Sequence, residues 1–113
     1  MIGIDIVNIK RIEKMIEKFG DKALNRFLSP TEIKLLKSSQ SIAGYWAAKE
    51  AFSKAIGTGI GKECNFLDIE ILKDEKNKPY FSNKTLKKFN LKNADLSISH
   101  DGNYAIAAVI VLK

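Results

Sequence analysis

The sequence predicts an α+β domain in which helices pack on one side of an antiparallel sheet. Three observations predict it. Apolar residues recur at helical spacing over residues 9–19 and 42–56, in the first half of the chain. The second half instead carries short β-branched and aromatic runs separated by turn residues. With 113 residues and 45% hydrophobic content, the chain can build one core, residues 1–113, and is too short to divide into two.

The first run, Ile2 to Val7, ends at Asn8, a good helix N-cap, so a strand leads directly into a helix. Ile9, Ile12, Met15, Ile16 and Phe19 give that helix its apolar stripe. Lys10, Arg11, Lys14 and Lys18 make its other faces basic, Glu13 and Glu17 offset them in part, and Gly20 stops it. Ser29-Pro30-Thr31-Glu32 combines an N-cap serine, proline at the first helical position and a glutamate three residues after the cap, which starts a helix running to about Lys37. After a polar break over Ser38 to Ser41, the longest helical pattern runs from Ile42 to Ile56 and ends at Gly57. Ala43, Ala47, Ala51 and Ala55 repeat every four residues in it, a small-residue stripe that lets another backbone approach closely; Trp46 and Phe52 lie outside the stripe.

Phe66 to Leu72 reads as a strand, Asp74 to Lys78 as a turn, Pro79 to Phe81 as a return strand and Lys84 to Phe89 as a short helix. Asp95 to Ser99 and Tyr104 to Leu112 flank Asp101-Gly102-Asn103, a hairpin signal. The last strand is apolar on both faces: Tyr104, Ile106, Ala108, Ile110 and Leu112 on one, Ala105, Ala107, Val109 and Val111 on the other. Helices on one side leave its other face in need of a second covering surface, such as another subunit.

Composition excludes several functions. The single Cys64 rules out an intrachain disulfide framework, and with only His100 beside it no Cys/His zinc set can form in one chain; the cytosol is the expected compartment. Asp5, Lys10 and Arg11 interrupt any signal-peptide pattern, and the longest apolar run is far below the ~20 residues of a membrane-spanning helix. The formal charge of +6 comes from 17 lysines and only two arginines against 13 acids, which suits diffuse attraction of an acidic partner better than reading of base edges. The excess is spread over both halves, and Phe52, Phe66, Phe81 and Tyr104 read mostly as core, leaving no stacking platform for nucleic acid.

Asp5 is the residue that most needs an explanation, a carboxylate in a strand between Ile4 and Ile6, both read as core. Buried alone it would cost several kcal/mol, so it needs a structural ion pair, a backbone-amide or helix-terminus partner, or a metal ion. Glu50 shares a helix face with Ala43 and Ala47, which argues that it too is partly enclosed, although a simple exposed pair with Lys54 is the plainer reading. If Asp5 and Glu50 face each other, a hard divalent cation would relieve their repulsion. Mg²⁺ suits one or two carboxylates completed by water and phosphate, and Lys54, one turn on, could reach that phosphate.

Gly57-Thr58-Gly59-Ile60-Gly61-Lys62 follows a helix and lacks the spacing of nucleotide-binding loops, so it reads first as a helix C-cap and open turn, though its amides and Lys62 could touch an anion. In Ser97-Ile98-Ser99-His100-Asp101, alternation places His100 on the face opposite Ser97, Ser99 and Asp101, which excludes a local catalytic triad. Cys64 reads as an inert thiol.

Gly3-Ile4-Asp5-Ile6-Val7, Phe27-Leu28-Ser29 with Glu32, Ala48-Lys49-Glu50-Ala51-Phe52-Ser53-Lys54-Ala55-Ile56-Gly57-Thr58-Gly59, Asn77-Lys78-Pro79 and Ser97-Ile98-Ser99-His100, taken together and in this order, closely resemble the holo-acyl-carrier-protein synthase family. The resemblance spans nearly the whole chain and implies the 4'-phosphopantetheinyl transferase fold. It further implies a homotrimer with active sites between subunits, and Mg²⁺-dependent transfer of phosphopantetheine from coenzyme A to a serine of apo-acyl-carrier protein, for fatty acid biosynthesis, releasing adenosine 3',5'-bisphosphate. On its terms Asp5 and Glu50 match the Mg²⁺ ligands and Lys54 the phosphate-contacting lysine. His100 and the Gly57 to Gly61 turn, with Gly59 and Lys62, fall where coenzyme A is contacted, and Arg11 and Met15 fall where the acidic carrier docks. Tyr45 stands where many relatives have arginine, and Asn77 where glycine is usual. Which group takes the serine proton stays open.

Overall fold

The computed structural model describes all residues, Met1–Lys113. Strand β1 (Ile2–Asn8) runs into α1 (Ile9–Phe19), followed by α2 (Asp21–Phe27), α3 (Pro30–Leu35) and the long α4 (Ser39–Ala55). A 3-10 turn (Phe66–Asp68), β2 (Ile71–Lys73), β3 (Pro79–Phe81), α5 (Asn83–Lys88), β4 (Asn93–Asp101) and β5 (Tyr104–Leu112) complete the chain. The main sheet has the order β1-β5-β4, antiparallel throughout, and β2 pairs with β3 in a separate antiparallel ribbon. The α+β class with helices on one side of the sheet is therefore observed.

Local chemistry explains most boundaries. The Asn8 side chain accepts from the Lys10 amide and starts α1; Ser29 and Glu32 form the expected capping box of α3. The break between α3 and α4 comes earlier than expected, at residues 36–38, because α3 ends at Leu35. Ser38 caps the helix through the Ser41 amide, so α4 starts at Ser39. An additional helix, α2, fills the stretch between Gly20 and Leu28, to which the sequence reading gives no element. The strand expected over Phe66 to Leu72 is shorter: Asn65 and Asp68 exchange side-chain and backbone bonds that curl Phe66–Asp68 into a 3-10 turn, and pairing begins only at Ile71. The hairpin loop is Gly102-Asn103, closed by the Asp101–Tyr104 pair, with Gly102 at φ 58°.

α4 lies across the inner face of the sheet, against Ala105, Ala107, Val109 and Val111 of β5, all buried. Its alanine stripe, Ala43, Ala47, Ala51 and Ala55, is buried as well. The approach it permits is that of β1 at Gly3, where any Cβ would run into the Ala51 carbonyl and stand 2.7 Å from the Ala55 nitrogen. Because Gly3 faces inward, Asp5 and Val7 do too, and Ile2, Ile4 and Ile6 face outward. This corrects the expectation that Ile4 and Ile6 are core: they are 57% and 61% exposed. With Tyr104, Ile106, Ile110 and Leu112, also exposed, they form an apolar outer sheet face that nothing in this chain covers. Tyr104 is thus a surface residue, contrary to the sequence reading.

Candidate active site

Three of the singled-out residues converge beside the Gly3–Ala51 contact. Asp5 extends from the inner face of β1, opposite Ala107 in the register, and Glu50 and Lys54 stand one turn apart on α4. The Lys54 ammonium lies 3.0 Å from Asp5 Oδ1 and donates to the Ile4 carbonyl at 3.1 Å. Of the alternatives for Asp5, the ion pair is the one observed, and it is half in water: the two side chains are 51% and 16% exposed, lysine first. Such a pair contributes no more than about 1 kcal/mol. Glu50 is half-buried, and its carboxyl is held above the ordinary range by burial first and by the negative charge of Asp5 second, while Lys54 and Arg11 pull it back. Ile4, Asp5, Ile6, Lys54 and Ile106 line an open cavity of about 210 Å³.

A half-buried Glu50 whose ionisation is opposed by the charge of Asp5, with a cation already at hand, suits a divalent ion. No third histidine, cysteine or acid joins them, so a closed protein cage of the zinc type is not available. A hard ion that takes one or two carboxylates and fills its other positions with water and phosphate matches the donor set.

His100 is elsewhere. It lines a cavity of about 140 Å³ with Gln40, Ser41, Tyr45, Lys73, Asn77, Pro79 and Ile98, against the first half of α4, whereas Asp5, Glu50 and Lys54 occupy the second half. Tyr45 is buried with its hydroxyl lacking a hydrogen-bond partner, and burial first and the Glu32 charge second push its pKa above the ordinary phenol value. Asn77 adopts φ 67°, the left-handed geometry that asparagine tolerates. Sequence alternation holds: Ile98 and His100 face α4, and Ser97 and Ser99 face away.

The glycine-rich turn is a helix C-cap. The amides of Thr58 and Gly59 donate to the Ser53 carbonyl at 3.1 Å, Gly57 to Lys54 and Gly61 to Cys64. These amides are engaged within the chain, so the anion-cradling reading of Gly57 and Gly59 does not follow from them; their glycines are there for φ of 90° and 68°. Lys62 is exposed, and burial pushes the Cys64 thiol up to about 11, which keeps it inert.

On α1, Arg11 reaches over the Trp46 ring at 5.7 Å, and beyond it Met15, Phe19, Lys22, Ala23 and Arg26 line a groove of about 410 Å³. Apolar floor and cationic rim lie together there.

One pair escaped the sequence reading. Lys49 and Glu32 form an ion pair at 2.7 Å with both side chains fully buried. Burial lowers the Lys49 ammonium's proton affinity, and the Glu32 charge partly restores it. A signal existed: Tyr45, Lys49 and Phe52 fall at i, i+4 and i+7, which puts the lysine in an apolar stripe.

A sequence model of the 4'-phosphopantetheinyl transferase superfamily matches residues 1–109. Holo-[acyl-carrier-protein] synthase of Nautilia profundicola is 74% identical over the whole of both chains, and that of Campylobacter fetus is 57% identical over 98% of each. The crystal structure of Helicobacter pylori holo-[acyl-carrier-protein] synthase in complex with coenzyme A superposes with a TM-score of 0.92, at 54% identity, over 98% of this chain and 99% of that one. A Bacillus anthracis holo-(acyl-carrier-protein) synthase complex with coenzyme A gives 0.82 at 44% identity, over 97% and 93%. With an antiparallel sheet crossed by one long helix, and with similarity along its full length, the chain belongs to the 4'-phosphopantetheinyl transferase superfamily and, within it, to the holo-[acyl-carrier-protein] synthase enzymes.

Proposed function

We propose that this protein transfers the 4'-phosphopantetheine group of coenzyme A to a serine of apo-acyl-carrier protein in the cytoplasm, giving holo-carrier for fatty acid synthesis and releasing adenosine 3',5'-bisphosphate. The observation that carries the reading is the convergence of Asp5, Glu50 and Lys54 on one face of α4 in a chain of this family. Asp5 and Glu50 are the residues to hold Mg²⁺. An ion held there would supply positive charge to offset that building on the diphosphate. Lys54, half-exposed and on a flexible stem, can turn from Asp5 to a phosphate oxygen and supply a second positive centre. The serine oxygen attacks the phosphorus in line, its proton leaves to a base, and the bond to the bisphosphate leaving group breaks.

His100 and Lys62 complete the coenzyme A site, with Gly57 and Gly59 shaping the turn beside it. Within one chain His100 and Asp5 line separate cavities at opposite halves of α4. On this reading the protein is a homotrimer in which the uncovered apolar sheet faces of neighbouring copies pack together, and one active site takes its acids and its His100 cavity from adjacent subunits. The cavity of Asp5 already opens on that face, since Ile4, Ile6 and Ile106 line it. The acidic carrier docks on α1, where Met15 lines the apolar groove with its cationic rim and Arg11 stands over the Trp46 ring. The test is to incubate the protein with coenzyme A, Mg²⁺ and an apo-carrier protein and to weigh the carrier. A mass gain of one phosphopantetheine is expected; an unchanged carrier would refute the reading.

A further inference from the structure

The Lys49 ammonium spends its three protons on three oxygens: Glu32 Oε1 at 2.7 Å, the Phe27 carbonyl at 2.7 Å and the Phe66 carbonyl at 3.1 Å. Glu32 in turn accepts the Ser29 amide on Oε1 and the Ile71 amide on Oε2, both at 2.9 Å. Five directional bonds thus join the end of α2, the cap of α3, the 3-10 turn and β2 to the middle of α4. For stability alone this is an inefficient choice, since apolar residues of similar volume commonly replace a buried ion pair without loss. Apolar packing, however, does not fix the rotation of a helix as a set of bonds to fixed carbonyls does.

Rotation of α4 bears directly on the site. At 100° per residue, Lys49 and Ala51 lie on nearly opposite sides of the helix, with Glu50 between them. One side is held by the β1 backbone, seated at Gly3 against Ala51 and Ala55. The other is held by Lys49. A carboxylate about 5–6 Å from a helix axis moves about 1 Å when the helix turns by about 10°, a displacement that spoils ligand geometry.

We propose that the buried Lys49–Glu32 pair is a positioning device that locks the rotation of α4 and so keeps the Glu50 carboxylate beside Asp5. The proposal rests on the reading of Asp5 and Glu50 as holders of a divalent ion. Its test is Mn²⁺ binding, followed by electron paramagnetic resonance, to the parent protein, Asp5→Asn, Lys49→Met and the double variant Lys49→Met/Glu32→Gln. The double variant leaves no buried charge, so it keeps the test available if Lys49→Met alone fails to fold. Circular dichroism sets a temperature at which each variant is folded. Mn²⁺ affinity is expected to fall about 10–100-fold in the Lys49 variants, and the Mg²⁺ midpoint for transfer to rise by the same factor, with excess Mg²⁺ restoring the rate. Lost stability by itself would shrink the folded fraction and leave the affinity of folded molecules unmoved. Folded Lys49 variants that bind Mn²⁺ within about twofold of the parent, a difference too small for the 10–100-fold effect of a supporting residue, would overturn the proposal alone. A parent protein that transfers phosphopantetheine while binding no Mn²⁺ would overturn the metal reading and the proposal together.

Discussion

Lys54 Nζ rests 3.0 Å from Asp5 Oδ1, one helical turn beyond Glu50, so the strand's carboxylate is already paired with a cation before any substrate arrives. The pair is loose, because half of the lysine is in water. On the proposed reading, Asp5 exchanges this partner for a metal ion at little cost, and the released ammonium turns to a phosphate.

Asp5→Asn and Glu50→Gln are each expected to lower kcat/KM at least about 10²–10³-fold, the loss typical when a charge-stabilising group is removed. The fold should survive both. Asp5→Asn breaks only a partly exposed pair and should change unfolding free energy in EDTA by no more than about 1 kcal/mol. A loss of several kcal/mol in denaturant melts would instead mark Asp5 as a structural acid.

The pH dependence follows from Glu50. Its folded carboxyl sits above the ordinary 4.5, so the folded metal-free protein holds this proton more tightly than the unfolded chain does. The stability tied to that proton is complete below 4.5 and is lost as pH rises through the higher folded value. Metal-free Glu50→Gln should therefore match the parent in acid and gain on it toward neutral pH, as read from melts across that range. Because a metal ion needs the ionised acid and competes with its proton, transfer should fall in acid, and at lower pH the more Mg²⁺ is supplied.

The outer sheet face should be a subunit interface. Light scattering is expected to give three times the 12.6 kDa chain mass for the parent and a smaller species for Ile110→Glu, which places a charge among Ile2, Ile106 and Leu112. A parent that stays monomeric at micromolar concentration would contradict this.

Carrier docking on α1 predicts that Arg11→Glu weakens the apo-carrier complex and leaves coenzyme A affinity nearly unchanged. Titration calorimetry separates the two. Equal carrier affinity in parent and variant would remove α1 from the docking surface.

Much of this site could be read from residue spacing. Glu50 and Lys54 at i, i+4 and the alanine stripe required a close packing partner, and Gly3 proved to be its contact point. The inward face of β1 was misread because three isoleucines on the other face look like core; only the need for a missing Cβ under Ala51 reveals that Gly3, Asp5 and Val7 point in. Lys49 shares an apolar stripe with Tyr45 and Phe52, but a lysine on a helix is ordinarily solvated, and its partners come from three separate elements. Phe66 to Leu72 has strand composition, yet the Asn65–Asp68 cap overrides it locally. The division of Asp5 and His100 between two cavities depends on tertiary packing, and no spacing rule encodes it.

The central claim is that Asp5 and Glu50 clasp a divalent ion against the coenzyme A diphosphate. Anomalous diffraction from crystals grown with coenzyme A and Mn²⁺ tests it most directly. A manganese peak within coordination distance of both carboxylates and a diphosphate oxygen is predicted. A fully bound coenzyme A whose manganese lies away from these two residues would contradict it.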